Sequence, residues 1–181
     1  MTPLSHAPAP PMEDAATPAG VARRRRQRRI ALAALSVAGF LDALYMLAYH
    51  EGLIDRLVCP FFGEGCERVG RSPHAVHFGL PNALVGALGY AVMATLAVAL
   101  GDRPARQRPS SALALGATAG AAAAASAILT YEQPARVGAW CFWCLLSAAL
   151  NAAILPLALA EVREVRSARR AVPTMEGGRG P

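Results

Sequence analysis

Four apolar blocks, each about twenty residues long, constrain the fold of this chain more than any other feature of its sequence. A helix of about twenty residues is ~30 Å long, which matches the hydrocarbon layer of a bilayer. The apolar residues run continuously through each block instead of forming the stripe that is typical of a helix on a soluble core. We therefore predict an all-α integral membrane protein, a bundle of four transmembrane helices.

The same blocks divide the chain into domains. The spans are predicted at residues 30–49, 78–100, 111–130 and 140–160. They lie within a membrane domain of residues 23–165. Residues 1–22 are rich in Pro and Ala and lack a periodic apolar pattern, so we predict a disordered N-terminus there and a tail over residues 166–181. In the third span, Gly116 and Gly120 form a G-x-x-x-G pattern, which lets membrane helices approach closely.

The distribution of arginine predicts how the helices are oriented. Lysine is absent, and thirteen arginines lie in the leader (six), in the 101–110 connector (three) and in residues 161–170 directly after the fourth span (four). Only four lie in the other two loops, residues 50–77 and 131–139. Cytoplasmic loops are enriched in Lys and Arg, so we predict a plasma-membrane protein with both termini cytoplasmic and an extracytoplasmic cysteine loop. Disulfides persist in that compartment.

The basic leader has two other interpretations. The run RRRRQRR, from Arg23 to Arg29, is compatible with a nucleic-acid-binding arm, but it directly abuts the apolar block at Ile30. That position favours a topology anchor and no nucleic-acid partner. A cleaved signal peptide ending near Tyr49 is the second alternative. Its apolar run would exceed the usual length of about 7–15 residues, and no A-x-A cleavage site follows.

The four cysteines of the chain form two pairs in the sequence, Cys59 with Cys66 in CPFFGEGC and Cys141 with Cys144 in WCFWC. A C-x-x-C at a helix start places two thiols one turn apart, and the helix N-terminus lowers the pKa of the first. Exchange between the two pairs would carry two electrons from a soluble donor to the membrane. The sequence contains no nucleotide-binding pattern, so we predict a lipophilic quinone as the acceptor, next to Cys144.

Two further interpretations of the cysteines are open at this point. A non-catalytic membrane scaffold would use Cys59–Cys66 and Cys141–Cys144 as structural disulfides. A zinc site would combine the loop cysteines with His74 and His77, although the gap between the two cysteines is wider than in common zinc knuckles. The zinc interpretation also leaves the C-x-x-C without a role, and we predict no metal.

Taken together, the motifs resemble the vitamin K epoxide reductase family, in its bacterial quinone-linked branch. The pattern consists of CPFFGEGCERVGRS, then FGLPNALVGALGY, then CFWC at the start of the fourth span, and it covers roughly residues 30–160. The order of the pairs, with the loop pair first, differs from that of the other bacterial four-helix thiol oxidase family. The resemblance implies an enzyme, a disulfide-exchanging quinone reductase that uses menaquinone or ubiquinone.

The resemblance also implies the order of electron transfer. A separate thioredoxin-like (DsbA-like) protein would attack the Cys59–Cys66 disulfide, at Cys59. Cys66 would then exchange with Cys141, which would leave Cys144 as the thiolate that faces the quinone. All four cysteines are thus predicted to be catalytic.

Other residues follow from the same resemblance. Ser72 lies where the family has a Ser near the quinone pocket, and Asn82 aligns with an Asn that hydrogen-bonds the quinone carbonyl in vertebrate members. Ala148 replaces the vertebrate quinone-contacting Tyr, so epoxide reduction is not implied. Asp42, in the outer half of the first span, would relay protons to the quinone or be an interfacial residue satisfied by Tyr45 or water. His74 and His77 would contact the quinone head group or be solvated loop histidines, and of the two we include His77 among the predicted site residues.

Overall fold

The structure is a computed structural model that describes residues 17–170. Helix α1 (Pro18–His50) is followed by the short helix α2 (Gly65–Gly70) and by a hairpin of strands β1 (Val76–His77) and β2 (Leu80–Pro81). The remaining long helices are α3 (Asn82–Leu100), α4 (Pro109–Glu132) and α5 (Phe142–Arg170). Two 3₁₀ turns, Pro73–Ala75 and Ala105–Gln107, and a π-helical turn, Gln133–Val137, complete the secondary structure of this part of the chain.

The four long helices form a closed ring in which α1 contacts α3 and α5, and α4 contacts the same two helices. Each is long and apolar enough to cross a membrane, and the predicted four-helix membrane bundle is confirmed. Successive helices run in opposite directions. One end of the bundle carries residues 51–81 and 133–141, and we call it the cysteine end. The other carries residues 18–29, 101–108 and 161–170, and we call it the arginine end.

Apolar side chains lie on both the inside and the outside of this ring. The interior contains one continuous cluster that includes Leu32, Tyr90, Met93, Leu115 and Ile154, all at most 1% exposed. Large apolar side chains also point outward from the same helices: Val37, Leu41, Leu88, Val92 and Ile128. An apolar exterior is unfavourable in water but matches lipid chains, as expected of a membrane bundle.

Ion pairs hold the arginine end together. Arg29 donates to both carboxylate oxygens of Glu161 at 3.1 and 2.7 Å, and its third nitrogen donates to the main-chain oxygens of Leu100, Gly101 and Arg103. Arg25 and Arg28 donate to Glu164 and Glu161. We call this set, Arg25, Arg28, Arg29, Glu161 and Glu164, the arginine clamp. Three of the arginines that had suggested a nucleic-acid arm therefore pair within the bundle.

The first helix begins earlier than predicted. It starts at Pro18, so the prediction of disorder is wrong for residues 18–22. The Thr17 hydroxyl accepts a hydrogen bond from the N–H of Gly20 at 3.1 Å, and a proline suits the first helical position. Residues 1–16 lie outside the described part of the chain.

Two other helix boundaries differ from the prediction. The second membrane helix begins at Asn82 and not at residue 78, because Phe78 and Gly79 have positive φ angles of 55° and 77° and form the turn between β1 and β2. The last helix continues to Arg170 because its final turns carry the glutamates of the arginine clamp. The rest of the predicted tail, residues 171–181, is outside the described residues.

The two glycines of the G-x-x-x-G pattern have different environments. A Cβ atom at Gly116 would collide with the side chain of Val162 on α5, so the missing side chain lets α4 and α5 approach closely. A Cβ atom at Gly120 would meet no neighbouring atom within 4 Å. Only the first glycine of the pattern is therefore used for close packing.

Candidate functional site

The loop cysteines form a disulfide at the cysteine end. Cys59 and Cys66 are joined, with Cα atoms 5.8 Å apart, and Cys66 is the second residue of α2. Cys66 is fully buried, whereas Cys59 is partly exposed. Phe61, between them, is 75% exposed. A reagent at the cysteine end therefore reaches this disulfide from the Cys59 side.

The C-x-x-C pair lies at the start of α5 with both thiols free. Cys141 directly precedes the helix, and Cys144 is in its first turn, where its N–H donates to the sulfur of Cys141 at 3.3 Å. The pKa of the Cys141 thiol is lowered because the Cys144 thiol donates a hydrogen bond to it. The N–H groups of Cys144 and Trp143 add to this effect, and burial opposes it.

Gln133 positions the C-x-x-C from the end of α4. Its side-chain oxygen accepts a hydrogen bond of 2.7 Å from the N–H of Cys141, and the side chain is almost completely buried. Gln133 begins the π-helical turn, which contains Pro134 and leads the chain towards α5. Sequence reasoning did not identify Gln133, because only the tertiary fold reveals that its amide meets a residue eight positions later.

The two cysteine pairs meet at one point. The N–H of Phe142, the residue after Cys141, donates to the sulfur of Cys66 at 3.3 Å. Cys66 and Cys141 are both fully buried and belong to one small cluster. Gly65 makes this contact possible, because a Cβ atom at that position would collide with the main-chain oxygen of Trp140. The inner sulfur of the loop disulfide therefore lies against the start of the C-x-x-C helix.

Aromatic residues hold the outer part of the loop. The N–H of Val58 donates to the hydroxyl of Tyr45 at 3.0 Å, and the indole of Trp143 donates to the Val58 main-chain oxygen at 2.8 Å. The rings of Tyr45 and Trp143 pack edge to face with centroids 4.9 Å apart. Both hydrogen bonds act on the residue that precedes Cys59, so α1 and α5 together position the partly exposed cysteine.

A cavity of about 120 Å³ extends from Cys144 between α1, α3 and α4. Its apolar wall includes Ala43, Met46, Gly86 and Leu129. An apolar protein cavity of ~150 Å³ is known to bind benzene, so this cavity is near the scale of one aromatic ring. A mostly apolar cavity with a few polar groups is typical of a small-molecule site.

Three of the four predicted quinone-contacting residues line this cavity: Asp42, Ser72 and Asn82. The Ser72 hydroxyl donates to the Val69 carbonyl at 2.8 Å, so towards the cavity it offers an acceptor. The Asn82 amide nitrogen donates to the His74 carbonyl at 2.8 Å and retains a second hydrogen for another acceptor.

The fourth predicted residue, His77, is not part of the cavity lining. It lies behind Asn82, with its Nδ1 atom 2.9 Å from the Asn82 side-chain oxygen. The lining instead includes His74, the other loop histidine that was considered for contact with the quinone head group. His77 lies on strand β1, where it pairs with Leu80 of β2. This pairing accounts for the position of His77 behind Asn82 and outside the cavity wall.

Asp42 is the most unusual polar residue of the cavity. Its side chain is 6% exposed, and its Oδ1 atom is buried without a hydrogen-bond partner. Tyr45, the partner considered from the sequence, donates no hydrogen bond to it among the described contacts and instead accepts one from Val58. An unpaired carboxyl oxygen is costly to bury, which is typical of a functional residue.

Sequence reasoning missed several other residues of the cavity wall. Ser147 lies one turn after Cys144, and its hydroxyl is 2.9 Å from the hydroxyl of Tyr90, which is buried on α3. Glu132 reaches the cavity from the last turn of α4. The i, i+3 spacing from Cys144 was a usable signal for Ser147. No comparable signal existed for Glu132, because its position depends on how α4 packs.

Comparison with known proteins identifies the family. Residues 30–159 match the family model described as "Vitamin K epoxide reductase family". The chain belongs to the vitamin K epoxide reductase family. A relative from Arabidopsis thaliana, the thiol-disulfide oxidoreductase LTO1, is 31% identical over 127 residues, which cover 68% of this chain and 34% of the relative. The chain thus spans about a third of the length of the curated relative it matches.

In this member of the vitamin K epoxide reductase family, the two cysteine pairs differ in their bonding. Zinc would require the loop cysteines as thiolates, but Cys59 and Cys66 form a disulfide. The scaffold interpretation would add a second disulfide between Cys141 and Cys144, which are free thiols in this structure. The chain holds one oxidised pair and one reduced pair in contact, which is an arrangement suited to thiol–disulfide exchange.

Proposed function

We propose that this chain is a membrane thiol–quinone oxidoreductase that reoxidises a separate thioredoxin-like, disulfide-forming protein outside the cytoplasm. One observation carries the proposal: the sulfur of Cys66 accepts a hydrogen bond from the N–H of Phe142, next to Cys141. The outer pair and the membrane pair are thereby close enough for exchange. Membership of the vitamin K epoxide reductase family supports this activity, as does the thiol-disulfide oxidoreductase name of the Arabidopsis relative.

The first step uses the partly exposed sulfur of the loop. A thiolate of the partner attacks Cys59, the Cys59–Cys66 bond breaks, and Cys66 leaves as a thiolate. The second thiol of the partner then loses its proton to solvent and displaces Cys59. The partner is now a disulfide, and the loop holds the two electrons as a pair of thiolates. The burial of Cys66 supports this direction of attack.

The second step transfers these electrons into the membrane. The Cys66 thiolate attacks Cys141 of an oxidised C-x-x-C, and Cys144 leaves as the thiolate. Cys59 then displaces Cys141, which restores the loop disulfide and leaves Cys141 and Cys144 reduced. The described structure has this pairing, with the loop oxidised and the C-x-x-C reduced. The lowered pKa of Cys141 makes it a good leaving group in this second displacement.

The cavity next to Cys144 has the properties expected of a quinone site. A bound quinone would supply an acceptor for two electrons and two protons. The remaining Asn82 amide hydrogen can donate to a carbonyl oxygen, and Met46 and Leu129 provide apolar contacts. The unpartnered oxygen of Asp42 gives the cavity a group that can hold a proton beside the C-x-x-C. Either menaquinone or ubiquinone fits this chemistry.

The orientation of the chain belongs to the same proposal. The arginine end would be cytoplasmic and the cysteine end would face the outside of the plasma membrane, which is where a disulfide-forming partner is found. A thiol reagent that cannot cross membranes should label the reduced loop cysteines, Cys59 and Cys66, in intact cells. Labelling only after lysis would contradict this orientation.

The function is tested by quinone-dependent oxidation of a reduced thioredoxin-like protein by the purified chain in lipid nanodiscs. Each single Cys→Ser variant should abolish turnover, because every sulfur takes part in one bond exchange. Ser110→Ala, at the arginine end, is the control and should retain wild-type turnover. Full activity in any one of the four cysteine variants would contradict the relay.

Trapping experiments test the order within the relay. In the double variant Cys59→Ser/Cys144→Ser, the remaining sulfurs of Cys66 and Cys141 should form a disulfide on mild oxidation. The matched variant Cys59→Ser/Cys141→Ser retains Cys66 and Cys144 and should form much less. The reverse result would show that electrons enter the C-x-x-C at Cys144.

A further inference from the structure

Glu132 presents a buried carboxylate to the cavity from the last turn of α4. Its side chain is 14% exposed, and its Oε2 atom is buried without a hydrogen bond. The same oxygen lies 3.4 Å from Nε2 of His77, within ion-pair distance. Glu132 therefore has one face on the cavity and one close partner behind the cavity wall.

His77 connects this carboxylate to the surface of the cysteine end. Its side chain is 36% exposed, and it lies on strand β1 of the hairpin. Among the described residues, Glu132 is the one acidic side chain paired with a histidine. His77 can thus exchange protons with solvent on one side and with Glu132 on the other.

Hydrogen bonding determines which nitrogen of His77 can exchange a proton with Glu132. The Asn82 amide nitrogen donates to the His74 carbonyl, so the Asn82 side-chain oxygen faces His77. That oxygen can only accept, and Nδ1 of His77, 2.9 Å away, must carry a hydrogen. In the neutral ring Nε2 is then the bare nitrogen. The nitrogen that gains and loses a proton is therefore the one that faces Glu132.

The proposed function creates a need for such a connection. Electrons enter the relay through thiolates, and the protons of the partner's thiols are released to solvent outside the protein. Cys144 consequently leaves its exchange step as a thiolate, without a proton. Reduction in the cavity consumes two protons, which must come from solvent through the protein.

We propose that His77 and Glu132 form a proton relay between solvent at the cysteine end and the cavity beside Cys144. His77 takes a proton from water at Nε2 and passes it to the Glu132 carboxylate, which becomes a neutral carboxylic acid at the cavity wall. The step converts a protonated imidazole and a carboxylate into a neutral imidazole and an acid, so charge and protons balance. This relay rests on the proposed function and deepens it.

Other titratable groups around the cavity lack this connection. His50 and Asp42 line it from α1, and His74 lines it from the loop. Neither histidine is within ion-pair distance of a carboxylate among the described residues. Asp42 is almost fully buried, so it can hold a proton in the cavity but has no exposed partner that would resupply it.

The test compares Glu132→Gln and His77→Gln in the nanodisc assay with the control Glu51→Gln, at an exposed acidic residue that does not line the cavity. Each relay variant should lower quinone-dependent turnover roughly 100-fold, the scale of a lost proton-transfer group. The double variant should be no slower than either single variant, because both act in one path. Glu51→Gln should stay within about twofold of wild type, because Glu51 belongs neither to the path nor to the cavity wall. Disulfide trapping between Cys66 and Cys141 should be unchanged.

Chemical rescue separates proton transfer from a structural role. Formate should restore turnover to Glu132→Gly, and imidazole should restore it to His77→Gly, because each small molecule replaces the missing proton carrier. Neither should accelerate the wild-type protein. Loss of activity without any rescue in both glycine variants would overturn the relay in favour of a structural pair.

A second measurement needs no quinone. The infrared difference spectrum between the oxidised and the dithiothreitol-reduced protein should contain a carboxyl signal that Glu132→Gln removes and His77→Gln shifts. The signal should remain in Glu51→Gln. If wild type reduces no quinone, the proposed function fails while the infrared signal still tests the relay. If wild type is active and both relay variants match it, the relay alone is wrong.

Discussion

The two ends of the bundle both bury charged side chains, but these side chains differ in how completely they are hydrogen-bonded. At the arginine end, Arg29 and Glu161 are 5% and 0% exposed, and each makes several charge-assisted hydrogen bonds. At the cysteine end, Asp42 and Glu132 each have a buried oxygen without a hydrogen bond. The side-chain nitrogen of Gln133 is also buried and has no hydrogen-bond partner. Fully paired charges stabilise a fold, whereas unpaired buried polar atoms are costly and are retained where chemistry needs them.

The largest expected effect separates these two kinds of buried charge. Glu161→Ala should lower the free energy of unfolding by about 3–5 kcal/mol, because it leaves buried arginines without their carboxylate. Asp42→Asn removes a charge that has no described partner and should leave stability unchanged or increased. Unfolding in detergent measures both, with the exposed Arg163→Ala as control. Equal destabilisation by Asp42→Asn would show that Asp42 is structurally paired and would remove the contrast between the ends.

An intermediate effect is expected where the two cysteine pairs meet. Gly65→Ala adds a methyl group against the Trp140 carbonyl and should cost about 1–3 kcal/mol at this contact. The yield of the trapped Cys66–Cys141 disulfide should fall accordingly. Gly120→Ala, at a glycine with open space, is the matched control and should leave the yield unchanged. An unchanged yield in Gly65→Ala would mean that the loop moves freely relative to α5.

The smallest effect concerns the acidity of Cys141. With Cys59 and Cys66 replaced by Ser, Cys144→Ala leaves Cys141 as the single thiol of the chain. The pKa of Cys141 should then rise, because the donated hydrogen bond that lowers it is gone. The thiolate would therefore appear only at higher pH, which ultraviolet thiolate absorbance measures. Cys144→Ser keeps a hydroxyl donor and should retain the lowered pKa of Cys141. Identical titrations of the two variants would show that the hydrogen bond from residue 144 does not lower this pKa.

The membrane spans were well predicted because a block of apolar residues is a local property of the chain. The errors lie at helix ends, where distant residues decide the outcome. Helix α1 begins at Pro18 because its arginines pair with glutamates at the far end of the chain, and α3 begins at Asn82 because a hairpin precedes it. The Thr17 cap is a local signal for the start of α1, but no local pattern reveals which glutamates its arginines meet.

The residues of the candidate site were predicted in part. Those that were missed or misplaced are again the ones whose positions depend on tertiary packing. The cysteines stand out because there are only four, and the family resemblance identified Ser72 and Asn82, which line the cavity. His77 was predicted to contact the quinone, yet it lies behind Asn82. Glu132 and Gln133 were missed, because a polar residue at the end of an apolar helix has no distinctive spacing.

Hydropathy, arginine placement and cysteine spacing are properties of the chain order, and they were sufficient to specify a four-helix membrane protein with two cysteine pairs. The tertiary structure decided which sulfur of the loop is buried, that Cys66 lies against the start of α5, and that Glu132 meets His77. These contacts join residues that are far apart in the sequence. They depend on the packing of helices and on the path of the loop, and neither can be inferred from local composition.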